Sequence, residues 1–396
     1  MEANAQLNEK KVYHDVNLRI IFAVTLMAVL GVSSISPAFV KISQEFNIHE
    51  EIGLLITFFT LPGVFLTPVM GVLADRFGRK RILVPSLMLF GIAGTACAFA
   101  PKFEILLLLR FFQGIGAASL GSLNATLIGD IYSGRQRTEA MGYNASVLSI
   151  GTASYPALGG FIAVFGWNYP FLLPILAIPI GLLVLYKLNA PEPKNTQNLL
   201  AYLGNALKSM NDRRVFVLFT AGVITFILFY GAILTYFPFI IVEFLGPGEQ
   251  VNPEVVIGSI MAALSLATAV TSFQLGNLIR LFSEKRLLKA AFFLFTVALF
   301  LVPFVPDLLV LLVPAVIFGI AQGINFPSNQ SLLVTIAPME YRAAFMSING
   351  MVLRLGQTLG PLVMGFVFTL GGINGVFITA AVLGLFMFLL LTIFLK

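Results

Sequence analysis

The chain has 396 residues, of which 58% are hydrophobic and 11% charged, and its formal net charge is +6. A soluble protein carries about a quarter charged residues, so a water-exposed globule is excluded. The apolar runs are about 20 residues long, enough for a helix to cross a bilayer, and the short alternating segments of a membrane barrel are absent.

Taken in chain order, residues 1–17 are polar, and the apolar run after them is too long for a secretory leader and lacks its small-residue cleavage site. Six membrane spans are expected at 18–40, 50–74, 82–100, 104–129, 139–163 and 167–188. The longest internal break follows at 189–213, where Asn189, Pro191, Pro193, Asn195 and Asn198 precede Lys208, Arg213 and Arg214. Proline and asparagine stop helices and the charges hold the segment in water, so it reads as a linker. Leu199, Leu200, Leu203 and Leu207 suggest a short amphipathic helix near 197–210, lying on the inner surface. Six further spans are expected at 214–242, 254–279, 287–304, 308–332, 343–369 and 373–395. The fold expected is an all-α membrane protein of 12 transmembrane helices in two pseudo-symmetric six-helix halves, 1–188 and 214–396.

The charges orient this arrangement. With an even number of spans and both termini inside, nearly all Lys and Arg fall on the inner side. Only Lys41 and Lys102 lie outside, while Arg110 and Arg354 lie within spans. Acids such as Glu45, Glu50, Glu51, Glu243 and Glu254 fall on the outer side. This is the positive-inside pattern of a multi-pass protein with cytoplasmic termini, and it accounts for the net charge without a nucleic-acid partner. The short loops favour a bacterial cytoplasmic membrane.

Residues 71–166 also repeat, without a gap, at 276–371. Gly71 falls on Gly276, Phe77 on Phe282, Lys80 on Lys285, Gly114 on Gly319, Asn124 on Asn329, Asn144 on Asn349, Pro156 on Pro361 and Gly160 on Gly365. Chance does not keep Gly, Pro, Asn and basic residues in register for so long. Duplicated membrane halves usually enclose a substrate path between them.

The first inner loop reads Gly71-Val-Leu-Ala-Asp75-Arg76-Phe-Gly78-Arg79-Lys80-Arg81. It resembles the signature loop of the major facilitator superfamily. The copy at Gly276–Arg286 lacks the acid and the second glycine. Charges here can serve topology alone. Alternatively, as the resemblance implies, Asp75 can meet the amino end of the eleventh span, which begins just after Pro338–Arg342, and so favour closure of the inner side.

The start of the fourth span, with Arg110, Gln113, Gly114 and Ala117, resembles the second motif of that superfamily. Arg110, Gln113 and Asn124 share one helical face, and an arginine in hydrocarbon should face a cavity or partner, or snorkel outward. The fifth span, with Gly151, Pro156, Gly159 and Gly160, resembles the motif of proton-coupled drug exporters, although Tyr155 replaces one glycine. The eleventh span carries a copy with Gly356 and Pro361, in which Met364 replaces another. Such glycines either only pack helices or mark an exporter. The resemblance covers essentially the whole chain and is nearest to the twelve-span drug:proton antiporters.

Gln322, Asn325 and Asn329 form a polar stripe on the tenth span, Arg354 and Gln357 lie on the eleventh, and Tyr236 on the seventh. They line a cavity or bond neighbouring helices. Arg354 lies about 18 Å from the inner surface at helical rise, too deep to snorkel easily. No Asp or Glu occupies the middle of any span, so proton coupling rests on the resemblance alone. Two in-membrane arginines suit an anionic or neutral substrate better than a cation. Cys97 has no disulfide partner, and His14 and His49 form no metal pair. No phosphate loop or catalytic cluster is present, and no cofactor is expected.

These features predict a monomeric transporter in the lipid bilayer, exporting small amphipathic drugs by alternating access with protons as the coupling ion. The alternative is an exporter of one endogenous metabolite, lipid or siderophore-like anion.

Overall fold

The computed structural model describes residues 14–48, 50–190, 212–245, 251–337 and 342–395, without the side chains of Asp75, Arg135, Thr138, Ser347 and residues 342–344. The proposed surface helix near 197–210 and the Pro338 part of the inner loop after the tenth span lie outside the described residues. Everything regular among the described residues is helical, because a backbone surrounded by hydrocarbon must satisfy its own hydrogen bonds.

Helix α1 (Val16–Phe46) starts where Asp15 accepts from the Asn17 amide at 2.9 Å, the usual device for an orphan amino-terminal donor. It tightens into a 3-10 turn at Ser36–Ala38 around Pro37 before resuming. Helix α2 (Leu54–Phe77) stops at Gly78, whose φ of 100° favours glycine. Then follow α3 (Arg79–Ala96), α4 (Phe103–Ile131), α5 (Gly134–Ala163) and α6 (Tyr169–Lys187).

The second half opens with α7 (Arg213–Phe244), which includes a π-helical stretch at Ile227–Tyr236. Helices α8 (Pro253–Leu281), α9 (Glu284–Leu301) and α10 (Leu312–Ile336) come next. The last helical run, Arg342–Phe394, is broken at Gly372 (φ 61°, ψ −164°), giving α11 (342–371) and α12 (373–394). Each expected span thus coincides with a helix. Ten stretches among the described residues are long and apolar enough to cross a membrane. The run 348–394 counts as one of them, and α10, diluted by its polar stripe, falls outside the ten.

Packing repeats as the sequence does. In the first half α4 packs on α2 and α3, and α1 on α5; in the second α10 packs on α8 and α9, and α7 on α11. The halves meet through α2 against α11 and α5 against α8. Arg110 and Asn329 are both buried, as inward-facing α4 and α10 require.

Candidate transport site between the halves

Contacts between the halves cluster at the end carrying the α1–α2, α5–α6 and α7–α8 connections. A Cβ on Gly160 of α5 would collide with the Glu254 carbonyl of α8, and one on Gly258 would lie 2.6 Å from the Pro156 carbonyl. Small residues let the two backbones touch. Ser36 of α1 donates to the Leu234 carbonyl of α7 at 2.6 Å. Thr57 of α2 donates to the Thr358 carbonyl of α11 at 3.2 Å, and the Thr60 and Thr358 hydroxyls are 2.9 Å apart. Lys41 pairs with the buried Glu254 carboxylate across the halves at 3.3 Å and also donates to the carbonyls of Ala163 and Val164.

At the opposite end no such contact between these four helices is seen among the described residues. Gly71 of α2, Gly142 of α5, Gly276 of α8 and Gly350 of α11 have open space where a Cβ would stand. The molecule is therefore sealed at one end and, among the described residues, open at the other, the end from which α1 starts and at which α12 finishes.

Directly on the open side of the Thr57–Thr60–Thr358 contact lies Arg354. Its stem passes Gly63 of α2, where an added Cβ would lie 3.1 Å from Cδ, and Nη1 donates to Gln357 Oε1 at 3.3 Å. The side chain is half-buried. On α7 the Phe226 and Tyr230 rings lie 5.6 Å apart, and Phe226 meets Phe326 of α10 edge-on at 6.1 Å. A Cβ on Gly356 of α11 would lie 2.9 Å from the Phe226 Cβ, so α7 approaches α11 closely there.

The α10 stripe bonds neighbouring helices in part. Asn325 accepts from Thr225 of α7 at 2.9 Å, and Asn329 donates to the Leu218 carbonyl at 3.2 Å. Gln322 Oε1, Asn325 Nδ2 and Asn329 Oδ1 remain buried without a protein partner. Asn124 donates to Thr25 of α1 at 2.8 Å, and Thr25 in turn to Asn144 of α5 at 2.6 Å. Tyr236 stacks on Phe368 with ring centres 5.0 Å apart, in the sealed end near Gly365.

Of the surroundings open to Arg110, a cavity, a partner or the outer surface, its geometry is that of a partnered side chain. It is 1% exposed, donates to the carbonyls of Gly31 at 2.8 Å and Leu55 at 3.1 Å and to Gln113 Oε1 at 2.7 Å, and lies 4.3 Å from the Phe59 ring centre. The reason is local. Where α1 tightens, the Ile35 amide turns to Val32, so it leaves the Gly31 carbonyl to the guanidinium. Arg110 and Gln113 thus clamp α4 to α1 and α2 and present no free surface.

The antiporter-like glycines are sites of close helix approach. Gly159 abuts the Ser34 carbonyl of α1, Gly151 lies against Leu26, and a Cβ on Gly356 would lie 2.6 Å from the Val223 carbonyl of α7. Pro361 packs against Gly53 in the sealed end. In the basic loop, Arg79 pairs with Asp130 of α4 at 3.1 Å, Lys80 donates to the Leu188 carbonyl at 3.4 Å, and Arg76 lies over the Phe77 ring at 5.6 Å. The Asp75 side chain is outside the described residues. In the second copy Glu284 replaces Arg79 and accepts from Ser331 of α10 at 2.6 Å.

The sequence reading did not single out the Lys41–Glu254 pair or the Thr57–Thr60–Thr358 contact. A signal existed for the first, since Lys41 is one of only two outer-side cations. None existed for the second, because threonines in apolar helices are common and usually bond their own backbone.

Two repeated helical halves, sealed at one end and parted at the other around buried polar groups, define a membrane transporter rather than an enzyme. The family model of the Major Facilitator Superfamily matches residues 21–252 and again 248–396, and the chain belongs to that superfamily. Multidrug resistance protein 2 of Bacillus subtilis (strain 168) is 24% identical over 368 residues, covering 92% of this chain and 90% of that protein. The bacillibactin exporter of the same organism is 29% identical over 163 residues, covering 39% of this chain and 40% of the exporter. Among solved structures, the nucleoside transporter NupG superposes with a TM-score of 0.81 over 96% of this chain and all of that one, at 13% identity.

Proposed function

We propose that the protein is a secondary active exporter of small amphipathic compounds, coupled to protons and working by alternating access. One observation carries the reading. Among the described residues, the cross-half contacts of α2, α5, α8 and α11 are made at one end and not at the other, the arrangement of two halves that rock about a central site. Twelve crossings with both termini cytoplasmic, as the basic loops favour, make the open end the cytoplasmic one, ready to accept an export substrate. Rocking would then close that end around the Gly71–Arg81 loop, with Asp75 in the closing contact.

Export rather than import is supported by the relative named for multidrug resistance and by the Gly151–Gly160 segment, whose glycines build both the α1–α5 and α5–α8 contacts. A second reading, export of one endogenous siderophore-like anion, is supported by the relative named as a bacillibactin exporter and by the uncompensated charge of Arg354.

Reconstitution into liposomes with an imposed pH gradient tests the function. Adding a transported compound should dissipate the gradient in proportion to protein and draw the compound into the compartment from which protons leave. Transport that is indifferent to the gradient would refute proton coupling. Failure of all hydrophobic drugs, with success of one anionic metabolite class, would select the second reading.

A further inference from the structure

We propose that Arg354 is the anchor of a binding site for organic monoanions, with the carboxylate on the guanidinium and an aromatic body against Phe226, Tyr230 and Phe326. The proposal rests on the transport reading only for the role of the cavity, since binding itself is a property of the open state.

The two in-membrane arginines make the case by contrast. Arg110 is fully buried, three of its hydrogen bonds are made to fixed acceptors, and an aromatic ring covers it. Arg354 has five donors like any guanidinium, yet among the described residues its hydrogen bonding is to Gln357 alone, at 3.3 Å. It forms no ion pair with any described carboxylate. A cation at this depth is costly without compensation, so the site is built for an anion that arrives from elsewhere.

The duplication shows that the fold does not require this charge. The position equivalent to Arg354 in the first half is Ser149, which donates back to the Ala145 carbonyl at 3.0 Å. The location is also suited to binding. Arg354 stands at the dead end of the open side, one helical turn from the Thr60–Thr358 contact, and Gly63 leaves room for its stem against α2. The Phe226, Tyr230 and Phe326 rings are only partly covered, Phe326 being 36% exposed, and supply an apolar surface for a ring. A planar guanidinium binds a carboxylate through two parallel bonds. A cationic compound of the same shape would face repulsion and a lost partner, so selection is by charge and then by apolar bulk.

The test uses the purified full-length protein and two probes of matched shape, 2-naphthoate and 2-naphthylmethylammonium, with binding followed by displacement of radiolabelled naphthoate and by calorimetry at neutral pH. Wild type should bind the carboxylate at least about tenfold more tightly than the ammonium, the effect of a charge-assisted pair. Arg354→Gln should remove that preference, Arg354→Lys should keep part of it, and Phe326→Ala should weaken naphthoate while leaving the charge preference. Equal affinity of wild type for the two probes would overturn the proposal even if every variant failed to fold. A folded Arg354→Gln protein that still prefers the carboxylate would also overturn it. Binding that follows this pattern without gradient-driven flux in liposomes would leave the site standing and remove the exporter reading, so the two failures are distinct.

Discussion

Gly160→Val should prevent the sealed end from closing and reduce transport by an order of magnitude or more. At Gly160 a side chain would collide with the backbone of Glu254, and the partner glycine Gly258 is equally close to Pro156. Neither obstacle can rotate away, so α5 and α8 must separate. Overpacking of this kind costs roughly 1–3 kcal/mol, which shifts a two-state equilibrium by about five- to 150-fold toward the state in which the contact is absent. The separation also weakens the Lys41–Glu254 pair, which spans the same junction. A cysteine at Thr57 in a Cys97→Ser background reports the change. A membrane-impermeant thiol reagent should label it from the sealed side faster in the Gly160→Val protein. Gly121→Ala, where a Cβ meets nothing within 4 Å, serves as the neutral comparison. Unchanged labelling and transport in Gly160→Val would show that this glycine does not hold the halves together.

Arg110→Leu should destabilise the first half rather than alter substrate choice. Removing the guanidinium strands the carbonyls of Gly31 and Leu55 and the Gln113 side chain in a dry interior. Loss of one member of a buried polar cluster costs about 3–5 kcal/mol when a charge is left alone and about 1–3 kcal/mol per stranded neutral group. The expected result is a melting temperature lowered by several degrees in detergent and poor recovery of monodisperse protein. Arg110→Lys should not restore it, because a single ammonium cannot span three acceptors in a fixed fork. A stable Arg110→Leu protein that had lost transport would instead return Arg110 to the substrate path.

The contrast between the arginines also shows how far a sequence can be read here. The repeat, the basic loops and the linker were legible because Gly, Pro and charge carry their structural meaning locally. Gly78 and Gly372, both at positive φ, end helices a few residues beyond the expected span ends at 74 and 369. The role of Arg110 was not legible, because its acceptors are main-chain carbonyls of ordinary apolar residues and one is free only through the tightening of α1 at Pro37. Arg354 was legible as an outlier, being deep, charged and absent from the other half. Which end was sealed had no trace in the sequence, since the same glycines must serve whichever end is closed. The Tyr236 hydroxyl remains buried and unpartnered beside Phe368; the geometry gives no physical account of it.

The most direct test of two halves alternating about a central site is a pair of distances measured in one reconstituted protein. Spin labels at Glu51 and Val251 would report the sealed end and labels at Ser133 and Leu281 the open end, all four positions being exposed, with Cys97 replaced by serine. With a pH gradient and a transported compound present, the first distance should lengthen as the second shortens, in the same fraction of molecules. Distances that stay fixed under turnover, or that lengthen together, would contradict the alternating account.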